Sequence, residues 1–560
     1  MKGIAIGLSN NSKEILKRLK KTEFVKDIYI AGSSKEDGKE NELVQVQKPR
    51  EILLKKWPKI DLIIFIGSIA ASIRIINSFL TSKDQDPGVI VIDNKCSKIV
   101  PLIGLHQSNT QNISCQIANL LGGEIIETNN SNDQSLLNLD AFGNQWGWKR
   151  SGKINDWSKL VIKQAKNEEI FCKQLSGNSL WKTSESAEII NQINEKETEK
   201  PDSTFRVSIF ENHGTTWHPP VLWIGIGCER NTSKELIANS LNNLLESGNL
   251  SQQSIAGFAT IDIKKDEKGI LELSEEKNLP IKFFSKEDLS TIIVPNPSNV
   301  VQKEIGTPSV AEASCLLAAG EESKLLEEKR IFKNQSGAVT IAVAESKNQY
   351  NPNHGEIHII GSGPGDISFL TSNAKKALSR CTVWIGYKMY LDLIKPLKRS
   401  DQVLIESKLT EEKDRCSKAI KLAEEGIKVA LISSGESGFY GMAGLLLELL
   451  QKIKKEYRPY FEVHPGISSV QLAAAISGAP LMNDFCSVSL SDKLTPWSLI
   501  EKRIEGALVG DFVIALFNPQ SIERNWQLKS VIDICLQSRH GETPVLIARQ
   551  VGRKNQSKKF

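Results

Sequence analysis

The feature that most constrains this chain is a recurring alternation. Short apolar, β-branched runs are each bounded by Gly, Asp or Ser, and most lead into an amphipathic stretch. DLIIFIG at 61–67, GVIVID at 88–93, VLWIGIG at 221–227, IHIIG at 357–361 and VALISS at 429–434 are the clearest. Near-continuous apolar strands followed by helical periodicity predict α/β architecture with parallel sheets and crossover helices. At 560 residues, such a chain divides into roughly three or four domains.

Two polar stretches read as linkers, 191–220 with NEKETEKPDS at its heart, and SKNQYNPNHG at 346–355. They separate a first region at 1–190, a middle domain at 221–345 and a C-terminal domain at 356–560. The 71 basic and 66 acidic residues leave a net charge of +5, too balanced and too scattered for a nucleic-acid surface. The most apolar stretch, Asp61 to Leu80, carries Arg74, Gly67 and Ser68. It reads as a buried strand entering a helix, not as a membrane span. Nine cysteines form no CxxC pair and no metal-ligand spacing. The expectation is a cytoplasmic, free-thiol enzyme with no metal site, no nucleic-acid partner and no membrane partner.

Gly361-Ser362-Gly363-Pro364-Gly365-Asp366 follows the IHIIG strand. A Walker A loop would end in Gly-Lys-Ser/Thr. A dinucleotide fingerprint would carry Gly at 366 and an acidic residue near 385, where the chain reads Trp384-Ile385-Gly386. Taken alone, the run reads as a tight turn with no ligand. A second Gly-rich loop, with Gly435-Glu436-Ser437, follows VALISS. Pro465-Gly466 then precedes Ser468 and Ser469, which can cap the next helix. Asn518-Pro519 comes fourth. Loops at the C-terminal ends of parallel strands are where open α/β sheets bind ligands.

The set GSGPGD (361–366), SSGESGFYGMAG (433–444), HPGISSVQ (464–471), GAPLMNDFCSVSLSDKLTPW (478–497), ALFNPQSIER (515–524) and TPVLIARQVGR (543–553) resembles the tetrapyrrole methylase family, in particular its precorrin-3B C(17)-methyltransferases. That resemblance implies two α/β lobes with S-adenosylmethionine folded between them. It implies cofactor contacts from Gly361, Gly363, Pro364, Gly365, Gly435, Glu436, Ser437, Ser468, Ser469 and Asn518. Asp366 has the chemistry of a general base or an electrostatic partner of the macrocycle, and equally of a helix N-cap. The resembling enzymes continue for some tens of residues past QVGR. The Lys-rich residues after that point offer no apolar run for a strand, so the second lobe is expected to be shortened at its end.

Upstream, GIGCERNTS, ATIDIKKDE and GTPSVAEASCLLAAG, with 67–93 and 101–123, look like the CbiG family of cobalt-precorrin-5A hydrolases. The resemblance implies opening of a lactone on the contracted ring with release of acetaldehyde. His106 is the best titratable candidate for that reaction, although its surroundings read LHQSNT where the family carries glycines. Asp262 and Lys264 share one face of an expected strand. Ser309 and Glu312 are spaced as a capping box. Together these features describe a bifunctional cobalamin-biosynthesis enzyme acting on a cobalt-precorrin, with oligomeric state, including a homodimer, left open. The alternative is a tetrapyrrole-binding or carrier protein with decayed sites.

Overall fold

The computed structural model describes residues 2–32, 45–81, 86–104, 110–126, 136–194, 197, 200–211, 214–335, 337–493, 495–521 and 524–559. The chain separates into two units, Met1–Gln134 and Ser135–Phe560. In the first unit, a seven-stranded sheet runs in the order Gln45–Gln47, Val25–Ala31, Gly3–Gly7, Leu62–Ile66, Gly88–Ile92, Lys98–Ile103, Glu124–Ile125. The central strands read GIAIG, LIIFI and GVIVI and are buried along their whole length, as a sheet covered on both faces requires. Asp61 to Leu80 folds as expected, into the strand Leu62–Ile66 and the helix Ile69–Ile76, which Ser68 caps by accepting from Ala71 N–H. No helix among the described residues is long and apolar enough to cross a membrane.

The second unit holds three five-stranded sheets. The segment 191–220 is not an open connection. It contributes the strands Thr204–Val207 and Thr216–His218, both largely buried, to a sheet completed by Lys149–Ser151, Ile170–Gln174 and Ile190–Gln192. Polar composition concealed them because Thr204, Thr216 and His218 are themselves buried, opposite the apolar Phe205, Val207 and Trp217. Trp146, Trp148, Trp157, Trp181 and Trp217 fill that core around Phe142 and Phe205. Trp217 packs edge-on against Phe142 and Trp157 and donates its Nε1–H to Leu139 O at 3.0 Å. This aromatic core is continuous with the apolar face of the C-terminal sheet, including Ile357, Ile359, Val383 and Val429.

The segment 346–355 is equally built in. Gln349 is buried. Its carbonyl accepts from Trp148 Nε1 at 2.8 Å and from Asn178 N at 3.3 Å, and its amide donates to Trp146 O at 2.7 Å and Glu425 O at 2.8 Å. At the same junction Asn178 donates to the Glu425 carboxylate at 2.6 Å. Burial pushes the Glu425 carboxyl up to about 7 from an ordinary 4.5. The folded chain therefore holds this proton more tightly than the unfolded one. The junction is at full strength below pH 4.5 and weakens as pH rises through 7, by up to about 3 kcal/mol. Glu425→Gln keeps the acceptor for Asn178. It should remove this part of the decline, and urea melts of both chains at pH 5 and pH 8 check it.

The middle sheet runs Ile281–Phe284, Ile255–Ile261, Leu222–Cys228, Gly337–Glu345, Lys324–Asn334. Two local expectations fail here. The strand through ATIDIKKDE stops at Ile261, and Asp262–Lys264 is a 3-10 turn, so Asp262 and Lys264 share no strand face. Lys264 turns inward instead, to a buried pair with Glu267 at 3.2 Å. Ser309 and Glu312 form no capping box. The helix is Ala311–Ala319, and Val310 stands at its start without a side-chain cap. Glu312, fully buried, is drawn away to Asn296 Nδ2 at 2.9 Å and Lys329 N at 3.1 Å. Two donors satisfy a buried carboxylate better than one cap would.

In the C-terminal domain five parallel strands run in the order Val403–Ser407, Val383–Tyr387, Lys428–Ser433, Glu356–Gly361, Tyr460–His464. A second lobe follows, with the parallel pair Phe485–Ser489 and Val513–Phe517 and the helices Trp497–Val509 and Gln527–Leu536. The polar end of the chain does supply a strand. Ser557–Lys559 pairs antiparallel with Ile547–Arg549. Its three residues are exposed, so the pairing rests on backbone hydrogen bonds and needs no apolar run.

Candidate active site

Three glycine turns follow three adjacent strands, Glu356–Gly361, Lys428–Ser433 and Tyr460–His464, and the register brings them to one edge. Gly361 lies opposite Ser433, and Ile360 opposite His464. Gly363 and Gly435 exchange two backbone hydrogen bonds, at 3.1 and 2.9 Å. Gly361 and Gly466 are in backbone contact. A Cβ on Gly361 would stand 2.5 Å from Gly466 N, and one on Gly466 would overlap Gly435 O and lie 2.6 Å from Gly361 C and O. These glycines thus serve the close packing of one turn on another. Gly435 differs. Its φ is +60°, a conformation natural to glycine, and the nearest atom to a Cβ there would be Ser468 Cα at 3.8 Å. The open side of the cradle is at Gly435.

Other groups ring that opening. Ser437 is buried and its Oγ has no hydrogen-bond partner, an arrangement that invites a ligand or water. Glu436 turns back to accept from Gly438 N at 2.7 Å. Ser468 caps the helix Ser469–Ile476 in a capping box with Gln471, and Ser469 is the first residue of that helix, so the start of this helix stands directly behind the third turn. Arg553 donates to Pro364 O at 3.2 Å and packs on Gly365. It lies in a quoted motif, yet nothing in its spacing marked it as a partner of the first turn.

Asp366 is exposed and accepts from Ser368 N at 2.7 Å, capping the 3-10 turn Ile367–Phe369. That backbone hydrogen bond holds its carboxyl below the ordinary value. The longer helix, Ser372–Arg380, has its own cap in Thr371. Across the cleft, Tyr440 donates to Ser487 O at 3.0 Å, and Phe439 and Tyr440 both meet Phe517 at 5.2 Å between ring centres. The second loop is thereby tied to the second lobe. Asn518, with φ +52°, donates to Ser489 Oγ at 3.1 Å. His106 lies outside the described residues.

Residues 356–559 match the family described as Tetrapyrrole (Corrin/Porphyrin) Methylases. A probable cobalt-factor III C(17)-methyltransferase of Salmonella typhimurium is 44% identical over 202 residues, 36% of this chain and 83% of that protein. The chain belongs to the tetrapyrrole methylase family. The methylase part is also 45% identical over 201 residues to a cobalt-factor III methyltransferase of Priestia megaterium. That stretch is 36% of this chain and 37% of the relative, so the chain spans little more than a third of it. Residues 51–132 match Cobalamin synthesis G N-terminal, and residues 222–344 match Cobalamin synthesis G C-terminus. A cobalt-precorrin-5A hydrolase of Priestia megaterium is 26% identical over 362 residues, 60% of this chain and 93% of that protein. The chain is thus a fusion of cobalamin-synthesis-G parts with a methylase part.

Proposed function

We propose that the methylase part transfers a methyl group from S-adenosylmethionine to carbon 17 of a cobalt-precorrin-3 type macrocycle during ring contraction. On the same reading, the upstream parts open the lactone of a cobalt-precorrin-5A. The observation that carries the methylase reading is the cradle itself. Three turns meet at one sheet edge, with open space at Gly435 beside the unpartnered Ser437 hydroxyl. The polar cofactor fits a cradle of backbone groups and one buried hydroxyl. When bound, it supplies an electrophilic methyl on a sulfonium.

What remains for the chain is positioning, which can lower such a barrier by many kcal/mol. The packed glycines fix the turns against one another, and Gly435 allows close approach. Ser437 and the helix start at Ser468 offer polar contacts. Tyr440 and Phe517 join the second loop to the second lobe. Asp366, held as the anion, is a poor proton acceptor and suits a fixed negative charge beside a cationic or developing positive centre.

The full chain incubated with cobalt-precorrin-3 and isotope-labelled S-adenosylmethionine should yield a singly methylated, contracted ring by mass analysis. Asp366→Asn retains the cap and removes the charge, and it should lower turnover about 100-fold with little loss of cofactor affinity. Equal turnover in wild type and Asp366→Asn would leave Asp366 a cap alone. Macrocycle binding without methyl transfer would turn the reading to a carrier. Acetaldehyde release from cobalt-precorrin-5A, and its loss in His106→Ala, tests the hydrolase half.

A further inference from the structure

One polar cluster in the methylase part has no place in the cradle. His358 is buried in the strand Glu356–Gly361. Glu462 and His464 lie on the adjacent edge strand, on the face they share with it through the register His358 to Glu462 and Ile360 to His464. His358 Nδ1 is 3.0 Å from His464 Nε2, and Glu462 Oε2 is 3.8 Å from each nitrogen. A point equidistant from these three atoms stands about 2.1 Å from each, the length of a zinc–imidazole or zinc–carboxylate bond. Spacing in sequence gave no hint of this group, because His358 lies 104 and 106 positions before Glu462 and His464.

The surroundings favour a cation over a bare histidine pair. Glu356 accepts from His358 Nε2 at 2.8 Å. That fixes the proton on Nε2 and turns the Nδ1 lone pair toward His464 and Glu462. A carboxylate oriented behind a histidine in this way is the usual support of a metal ligand. The positive charges nearby, Arg380 at 3.2 Å and Lys428 at 2.5 Å, are both engaged by the same Glu356. Glu462 is half exposed and also accepts from the Tyr460 hydroxyl at 3.4 Å, so the third ligand opens to solvent. Two imidazoles and one carboxylate with a free fourth position make a zinc-type donor set.

We propose that His358, His464 and Glu462 bind one divalent ion of the zinc class. The ion clamps the edge strand to its neighbour at the root of two cradle turns, since Gly361 follows His358 by three residues and Pro465 follows His464 directly.

The test uses the full chain freed of metal by chelator dialysis. It is titrated with Zn²⁺ in a calorimeter, and with Co²⁺ followed by its visible absorption. One equivalent should bind, with the intense visible bands of a low-coordinate cobalt ion, and Zn²⁺ should raise the melting temperature. Glu462→Ala, at a half-exposed position, should weaken uptake at least about tenfold and abolish the melting shift. His358→Ala and His464→Ala should lose stoichiometric uptake, whereas the exposed His540→Ala should not. If the buried variants fail to fold, Glu462→Ala decides alone. Absence of stoichiometric uptake, or uptake unchanged in Glu462→Ala, would overturn the proposal and leave a plain imidazole–imidazole hydrogen bond.

Discussion

Gly466→Ala should lower S-adenosylhomocysteine affinity and methyl transfer by about 100-fold or more. The added Cβ overlaps the Gly435 carbonyl oxygen and falls 2.6 Å from two atoms of Gly361. All of these are backbone atoms, which have no rotamer through which to escape. The third turn must withdraw, and the Gly363–Gly435 bridge on which it rests must shift with it. A displacement of about 1 Å in a positioning site costs on the order of 100-fold in rate. The loss in folding stability should be modest, about 1–3 kcal/mol, as for an overpacked core. Gly444→Ala is the control, because nothing lies within 4 Å of its Cβ and alanine favours its helix. Titration calorimetry of the three chains checks the contrast. Equal affinity in Gly466→Ala would show that the third turn can move without consequence.

Gln349→Ala should destabilise the second unit by about 3–5 kcal/mol, a large effect for one uncharged side chain. Both ends of this amide are used at once, and all four partners are held inside the molecule. Truncation leaves the Trp148 indole N–H and the carbonyls of Trp146 and Glu425 without partners, and each buried orphan costs about 1–3 kcal/mol. Gln349→Glu should be nearly as harmful. It keeps the acceptor but replaces the donor with a carboxylate facing two carbonyl oxygens. Denaturant melts followed by tryptophan fluorescence suit this test, since Trp146 and Trp148 flank the site. A loss below 1 kcal/mol would mean that water replaces the amide without cost.

The sequence was most legible where structure is local. DLIIFIG, GVIVID, VLWIGIG, IHIIG and VALISS each became a strand, because a buried strand's identity lies in its own few residues. The glycine turns were readable for the same reason, and Ser468 caps its helix as its spacing suggested. Failures came where distant residues decide. Glu312 abandons its expected cap for Asn296 and Lys329. A polar run at 346–355 reads as linker until Trp148, Asn178 and Glu425 are brought around Gln349. The partnership of Arg553 with Pro364, across 189 positions, had no local trace. Asp366 read equally as a base and as a cap in sequence, and the structure supplies its capping bond to Ser368.

The aromatic core that spans Phe142 to Trp217 and the C-terminal sheet also bears on how the chain is made. A ribosome releases the tryptophan-bearing segment first, but Val429 and Leu431, on the strand that helps cover it, come more than 200 residues later. At about 5–20 residues per second, the five tryptophans wait on the order of 10–40 s for their covering surface. During that interval the nascent protein presents an apolar face of the kind that chaperones hold. Supplying the methylase part from a separate message would make that wait depend on the partner's concentration, whereas joining the parts in one chain ties it to elongation alone.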